Sequence, residues 1–196
     1  MADYKELAQV VFPDITQTVA DLEKKYPKRA LKEGAMVTRF APSPTGFLHT
    51  GSLFSSFVSY RFAKQSGGIF YIRLEDTDTK REIEGSAEAL VAQLKEFDIL
   101  PDEGYFGDNK EKGAYGPYQQ SKRATIYAVC IKHLIEQGRA YPCFCTADEL
   151  AELRKMQEAR KIIPGYYGPY AKYRDFPIDA AIAKIKAGDP YIIRFK

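Results

Sequence analysis

The sequence predicts an α/β fold with a doubly wound, mostly parallel sheet, and three observations lead to this expectation. Short runs of β-branched and aromatic residues alternate with longer segments of helical periodicity. Residues 36–75 give a strand–helix–strand unit, and its two strands are expected to be parallel. Glycines and prolines after residue 100 interrupt the alternation, which indicates an insertion. A chain of 196 residues, 45% of them hydrophobic, can bury the core of one sizeable domain.

The first strand–helix–strand unit follows a helical segment. Residues 1–35 contain apolar residues at helical spacing and are predicted to form a helical extension. Met36–Ala41 and Ile69–Glu75 are rich in β-branched and aromatic residues, so we predict two strands there. Residues 48–65 are predicted to form a helix with apolar residues on one side. The glycines after Ser66 are expected to cap its C-terminal end.

The remaining elements are predicted from periodicity and from turn residues. A third helix is expected after the acidic loop that begins at Asp76, and residues 101–118 are predicted to be loop because they contain several glycines and prolines. An amphipathic helix then ends at Gly138. Thr146 and a glutamate three residues later have capping-box spacing, so another helix begins there. A tyrosine-rich loop, a short helix and a final strand over residues 189–196 complete the chain.

Composition limits the class of protein. The formal net charge of +3 permits contact with nucleic acid but does not argue for it. No apolar run approaches the length of a membrane span, and the acidic, mixed N-terminus is unlike a secretory signal. Of the three cysteines, Cys143 and Cys145 are too close together for an ordinary disulfide. These features favour a reduced, cytoplasmic protein.

The stretch RFAPSPTGFLHTGSLFSS, which begins at Arg39, carries the main functional signal. Pro42 and Pro44 fix backbone angles, and Gly46 permits a close backbone approach to a ligand. A strand–loop–helix turn directs free N–H groups and the positive end of a helix to one place, which suits phosphate. His49 at the helix entrance could donate to that phosphate, although a lone histidine there is more often structural. The stretch contains neither G-x-x-x-x-G-K-[ST] nor G-x-G-x-x-G.

These residues resemble a known family. The turn LHTG is similar to the HIGH signature of class I aminoacyl-tRNA synthetases, with Thr50 and Ser52 as departures. The longer RFAPSPTGFLHTG resembles the signature of bacterial glutamyl-tRNA synthetases, and GGIFYIRLEDTDTKR resembles their next block. YGPYQQSKRATIY and GRAYPCFCT continue the resemblance, which covers about residues 36–196. It implies a Rossmann-like, HIGH-type nucleotide-binding domain with an α/β insertion for the acceptor end of tRNA.

The resemblance implies an activity and the residues that perform it. The expected substrates are L-glutamate, ATP with Mg²⁺, and tRNA(Glu), and the product of the first step is glutamyl-adenylate. His49 is expected to be catalytic and to bind ATP together with Thr45, Gly46 and Gly51, whereas glutamate is expected to contact Arg39, Ala41, Ser43 and Glu75.

Each of these expectations has a simpler alternative. Without the motif, Arg39 is better explained as part of a surface salt bridge. The acids of EDTD are explained equally well by helix capping through Thr77 and Asp78. We therefore expect Asp76 and Asp78 to be structural and only Glu75 to contact the substrate.

Two further sites are expected with less support from the sequence. Contacts with tRNA are expected from QQSKR, from the tyrosine-rich loop and from basic residues after residue 138, namely Arg139, Arg154, Lys155, Arg160 and Lys161. Cys143 and Cys145 make half of a zinc site. Some members of the family that the sequence resembles complete such a site with a downstream cysteine, and Tyr170 occupies that place here. Reduced core cysteines are the alternative.

The resemblance is incomplete at its C-terminal side. We find no KMSKS-type lysine loop and no anticodon-binding part, so we expect an amino-terminal catalytic fragment of a longer enzyme. We expect this fragment to be monomeric and to have little or no activity by itself. The predicted division is an extension over 1–35, the first part of the catalytic domain over 36–110, and its remainder with the start of the insertion over 111–196. The alternatives are a glutamyl-Q tRNA(Asp) synthetase-like paralogue and a non-catalytic RNA-binding module. A glutaminyl enzyme fits less well because the turn is PSPTG and not PEPNG, and a small-molecule nucleotidyltransferase does not account for Arg39 and EDTD.

Overall fold

A computed structural model of the chain describes residues 3–46 and 48–196. The chain forms two compact units. The first unit combines the residues up to Val19 with Tyr127–Lys196, and the second unit is Ala20–Ile126. Helices and a mainly parallel sheet alternate along the second unit, which confirms the predicted α/β class. The predicted division of the chain at residues 35 and 110 stays a prediction.

The sheet of the second unit has four strands in the order β1-β2-β3-β4. These strands are β1 (Val37–Phe40), β2 (Ile69–Ile72), β3 (Glu103–Tyr105) and β4 (Glu111–Lys112). β1 pairs with β2 in parallel, as predicted, and β2 pairs with β3 in parallel. β4 returns antiparallel to β3. The carboxyl ends of three parallel strands therefore lie at one edge of the sheet.

Helix α3 (Thr50–Ser66) connects β1 to β2 and packs on both strands. It ends at Gly67, whose φ of 68° confirms the predicted glycine cap. The prediction that its apolar residues lie on one side is wrong, because Phe54, Phe57 and Phe62 are exposed. The buried positions of α3 are instead the small residues Ser56 and Ala63, which leave the larger aromatic side chains at the outer surface.

Helix α4 (Ser86–Glu96) contributes Leu90 and Leu94 to the core that also contains Phe70 and Ile72. The prediction that residues 101–118 are loop is wrong, because β3 and β4 lie within them. A glutamate followed by a glycine at the start of β3 gives no strand pattern. Gly104 has φ of 121°, and a Cβ added there would lie 2.3 Å from the carbonyl oxygen of Ile72. Glycine is thus what allows β3 to approach β2 at this place.

The other unit has its own core. Helix α1 (Tyr4–Val11) packs on α7 (Ile178–Lys186), and strand β5 (Ala140–Cys143) pairs antiparallel with β6 (Ile192–Phe195). Its buried apolar side chains include Leu7, Ile135 and Ile182.

The remaining helices are α2 (Val19–Lys25), α5 (Ala124–Glu136) and α6 (Ala147–Ala159). α1 and α2 lie within residues 1–35, and the division of the chain after residue 35 stays a prediction. Thr146 and Glu149 form the predicted capping box at the start of α6. Among the described residues, no helix is both long enough and apolar enough to cross a membrane.

We expect Gly104→Ala to destabilise the second unit by at least about 3 kcal/mol, because a methyl group would force β3 away from β2. Gly85→Ala is the matched control, since Gly85 also has a positive φ (76°) but an added Cβ would have no heavy atom within 4 Å. That control carries only the cost of left-handed backbone, about 1–2 kcal/mol. Urea denaturation followed by circular dichroism measures both. Equal losses in the two variants would contradict the close approach at Gly104.

Candidate active site

The turn that follows β1 is anchored by hydrogen bonds from distant residues. The carbonyl oxygen of Pro44 accepts from the Ile83 N–H (2.9 Å) and from the Ser86 hydroxyl (2.8 Å). The carbonyl oxygen of Pro42 accepts from the Glu75 N–H at 2.8 Å. Ser86 is 1% exposed, so its hydroxyl is committed to the turn. The two prolines lack N–H groups, yet their carbonyls connect the turn to α4 and to the end of β2.

A cavity of about 320 Å³ lies beside this turn. It includes five of the predicted site residues, and its lining is Phe40, Ala41, Pro42, Ser43, Thr45, Gly46, Leu48, His49, Ser52 and Leu90. Phe47, inside the motif, lies outside the described residues. The cavity borders the carboxyl end of β1, where open α/β sheets bind their ligands.

His49 is the N-cap of α3. Its Nδ1 accepts from the Ser52 N–H at 3.4 Å, and its Nε2 lies 2.9 Å from the Ser52 hydroxyl oxygen. A Cβ on Gly51 would lie 3.1 Å from the imidazole Cε1, so glycine at this position makes room for the ring. The first turn of α3 contains no acidic residue. The positive end of the helix is therefore available to an anion, with an exposed imidazole beside it.

The predicted pair Arg39 and Glu75 comes together at the same edge of the sheet. Arg39 Nη1 lies 3.4 Å from Glu75 Oε1, and their side chains are 37% and 31% exposed. Arg73 Nη2 lies at the same distance, 3.4 Å, from that oxygen. Two cations thus flank one carboxylate. Such a cluster can bind a zwitterion, because a guanidinium binds carboxylate and a carboxylate binds ammonium.

Arg73 was missed by sequence reasoning. Its position two residues before Glu75 places both side chains on the same face of an extended chain, which is the only signal that could have indicated it. Within the described part of the chain, its Nε is buried and has no hydrogen-bond partner. Ser86 was also missed, and nothing in its sequence context indicates a contact 42 residues away.

The other acids of EDTD have structural roles. Asp76 accepts from the Ser121 N–H at 2.8 Å and from the Ser121 hydroxyl at 2.6 Å, as expected of a structural residue. Asp78 pairs with Arg81, whose hydrogen bond lowers the pKa of the Asp78 carboxyl. The alternative that Thr77 and Asp78 cap the next helix is wrong. Turns intervene, and α4 begins only after Gly85, its N-cap.

The two cysteines lie in the first unit. Cys143 is buried and Cys145 is partly exposed. Burial alone would raise the pKa of the Cys143 thiol, but hydrogen bonds from Tyr166 and Arg194 lower it overall. Burial and Cys143 raise the pKa of the Tyr166 hydroxyl.

The residues around these thiols do not fit a closed zinc site. The pKa of the Cys145 thiol is influenced by the Tyr166 hydroxyl, whereas Tyr170 lines a cavity together with Cys145 and Tyr166. Across residues 3–46 and 48–196, no group of three or more His, Cys, Asp or Glu side chains could hold a metal ion. Two thiols and one phenol are fewer than the four ligands that zinc requires.

A parallel sheet, a proline–glycine turn and a histidine at the start of the following helix agree with the arrangement expected of the class I synthetase fold. Comparison with protein families agrees with this geometry. The chain belongs to the tRNA synthetases class I (E and Q), catalytic domain, and the family model matches residues 35–196.

The chain is also similar to individual members of this family. It is 53% identical over 193 residues to a glutamate–tRNA ligase of Clostridium perfringens. This alignment covers 98% of this chain and 35% of that protein. A glutamate–tRNA ligase of Acetivibrio thermocellus is 49% identical over 195 residues, 99% of this chain and 36% of the relative. The chain thus spans about a third of the length of these curated relatives. Both alignments include the extension as well as the part that the family model matches.

A solved structure shows the same fold. The crystal structure of a glutamate tRNA ligase from Elizabethkingia meningosepticum, in complex with its amino acid, matches with a TM-score of 0.73 and 38% sequence identity. The match covers 84% of this chain and 32% of that chain. This likeness confirms the predicted Rossmann-like catalytic fold.

We expect Ser86→Ala to lower the free energy of unfolding by about 1–2 kcal/mol, because the buried Pro44 carbonyl loses one of its two donors. Ser55→Ala is the control. Ser55 is exposed on α3, and its hydroxyl donates to the Ser52 carbonyl within the same helix. Chemical denaturation of both variants tests the assignment, and a loss in Ser55→Ala as large as that in Ser86→Ala would contradict it.

Proposed function

We propose that the chain is part of a glutamate–tRNA ligase, which activates L-glutamate with ATP to glutamyl-adenylate and transfers the glutamyl group to the 3′ end of tRNA(Glu). The observation that carries the proposal is the cluster of Arg39, Arg73 and Glu75 beside the turn that begins at Pro42. The names of the similar proteins support the same substrates.

Glutamate is proposed to bind in this cluster. The Arg39 guanidinium would form a two-pronged hydrogen bond with the side-chain carboxylate, and Glu75 would accept from the α-ammonium. Ala41 and Ser43 line the adjoining cavity and would contact the bound amino acid. The ion pair between Arg39 and Glu75 is partly exposed, so its exchange for substrate contacts costs little.

ATP is proposed to bind at the turn and at the start of α3. Thr45 and Gly46 line the cavity with His49, and Gly51 makes room for the His49 ring. In the first step, an oxygen of the α-carboxylate of glutamate attacks the α-phosphorus of ATP, and pyrophosphate leaves. His49 would donate to the phosphates as charge develops, and the positive helix end would stabilise the same charge. Mg²⁺ would enter with ATP and bind mainly to its phosphate oxygens.

The transfer step is proposed to involve residues of the unit that contains Tyr127–Lys196. The ribose hydroxyl at the 3′ end of tRNA attacks the glutamyl carbonyl, and AMP leaves. Exposed cations suit contact with tRNA phosphates, and the predicted set is exposed: Arg139, Arg154, Lys155, Arg160 and Lys161. In this proposal, residues 36–110 begin the catalytic domain, and residues 111–196 continue it into the insertion for the acceptor end. A monomer in the cytoplasm is part of the same proposal.

Arg39→Ala is expected to abolish the preference of the chain for a non-hydrolysable glutamyl-adenylate analogue over its glutaminyl counterpart. Without the Arg39 guanidinium, the proposed site loses the two-pronged partner that favours a side-chain carboxylate over an amide. Isothermal titration calorimetry with both analogues measures the preference. Arg61→Ala is the control, since Arg61 is exposed on α3 and has no role in the site. A preference that survives in Arg39→Ala would refute the assignment of Arg39.

The two roles of His49 are separable by substitution. His49→Asn retains a side chain that can cap α3, whereas His49→Ala removes the cap and should cost about 1 kcal/mol of stability. Both variants should bind a non-hydrolysable ATP analogue about tenfold more weakly, because a hydrogen bond to a charged phosphate is lost. Thermal unfolding and calorimetry together test this. If His49→Asn binds as tightly as the wild type, the imidazole is only a cap.

A further inference from the structure

A buried carboxylate of β3 depends on a residue of the extension. Glu103 is 7% exposed. Arg29 donates to both of its carboxylate oxygens, with Nη1 3.0 Å from Oε2 and Nη2 on Oε1. Burial alone would lower the pKa of the Arg29 guanidinium, but Glu103 raises it overall. A buried carboxylate without such a partner is strongly unfavourable, so the position of β3 depends on Arg29.

Arg29 also holds an aromatic side chain. Its guanidinium lies 3.7 Å from the centre of the Tyr115 ring. The Tyr115 hydroxyl donates to the carbonyl of Pro27 at 2.8 Å, and Tyr26 stacks on the same ring. Residues 26–29 therefore enclose Tyr115 by three kinds of contact: cation–π, hydrogen bond and stacking.

Tyr115 is connected to the proposed glutamate site through a short chain of hydrogen bonds. Its N–H donates to the Tyr118 hydroxyl at 3.1 Å. The carbonyl of Tyr118 accepts from the Leu74 N–H at 2.9 Å, and the carbonyl of Leu74 accepts from the Gln120 N–H at 2.9 Å. Ser121 then binds Asp76 by two hydrogen bonds. Residues 118–121 thus run beside Leu74–Asp76 and hold the backbone on both sides of Glu75.

Glu75 is fixed on its other side by the ATP turn, through its N–H bond to Pro42. One support of Glu75 is therefore local to the turn, and the other leads to Arg29. The family model begins at residue 35, so Arg29 lies outside the part of the chain that it matches.

We propose that Arg29, fixed by Glu103, is a positioning residue for amino acid binding: through Tyr115 and Tyr118 it holds Leu74–Asp76, and with them Glu75, where the substrate ammonium is proposed to bind. The proposal rests on the proposed function for its ligand. It assigns to the extension a role in the glutamate site and none in the ATP turn, which the Ile83 and Ser86 contacts hold independently. A residue that only stabilises the fold would affect both ligands alike, or neither.

The test uses the 196-residue chain and the variants Arg29→Ala, Arg29→Lys and Lys28→Ala. Lys28 is the matched control, because it is an exposed cation one residue away. Arg29→Ala should weaken binding of the glutamyl-adenylate analogue about five- to tenfold, with binding of the ATP analogue within about twofold of wild type. Arg29→Lys should be intermediate, because it retains the charge but loses the two-pronged contact. Lys28→Ala should match wild type.

Hydrogen exchange gives a second readout that needs no ligand. In Arg29→Ala, the amides of Leu74 and Gln120 should exchange faster, whereas the Ile69 amide, which donates to Met36 within the β1–β2 pair, should be unchanged. If Arg29→Ala does not fold, Glu103→Gln is used in its place. The same selective loss of protection at the Leu74 and Gln120 amides is expected.

The outcomes separate the two proposals. Unchanged protection at Leu74 and Gln120 overturns the role of Arg29, as does equal weakening of both ligands in a folded variant. Wild-type chain that binds no glutamyl analogue contradicts the proposed function instead, and exchange at Leu74 still decides whether Arg29 positions the segment.

Discussion

The parallel pairing of β1 with β2 is the interaction on which the site depends. The pairing continues beyond the last strand residues, because the Arg73 N–H donates to Phe40 and the Glu75 N–H donates to Pro42. These two bonds bring the carboxyl ends of both strands to one edge of the sheet. The same edge therefore receives Arg39 from one strand, Arg73 and Glu75 from the next, and the turn that leads to α3.

Under the proposed function, the charges at this edge suit an acidic amino acid. Two guanidinium groups and one carboxylate give the cluster an excess of one positive charge, and glutamate at neutral pH carries an excess of one negative charge. Glutamine carries none, so it would leave the excess cation without a partner. Because the ion pairs are partly exposed and their N–O distances are long, at 3.4 Å, they are weak and can rearrange around a ligand.

Local signals in the sequence predicted the local parts of this structure. Helix caps at Gly67 and Thr146, the strands around residues 37–40 and 69–72, and the placement of Arg39 near Glu75 followed from spacing, turn chemistry and family resemblance. Contacts between residues far apart along the chain were not predictable in the same way. Strand β3 was missed because its first residue, Glu103, is polar. Its burial depends on pairing with Arg29, which lies 74 residues earlier in the sequence. The phenylalanines of α3 were predicted to lie on one apolar side of the helix, but they are exposed. The buried positions of α3 are small residues and not large ones.

The buried ion pair of Arg29 and Glu103 is better explained by the orientation that it gives to its side chains than by a gain in folding stability. Removing two charges from water is costly, and apolar residues of similar volume often stabilise a fold as well or better. A two-pronged ion pair differs from an apolar contact in that it fixes direction as well as distance. That property matters for the proposal that Arg29 positions Glu75, because a misplacement of about 1 Å in a group that positions the substrate can lower a rate about a hundredfold. If Arg29 positions Glu75 as proposed, the pair contributes mainly through the direction in which it holds its two side chains.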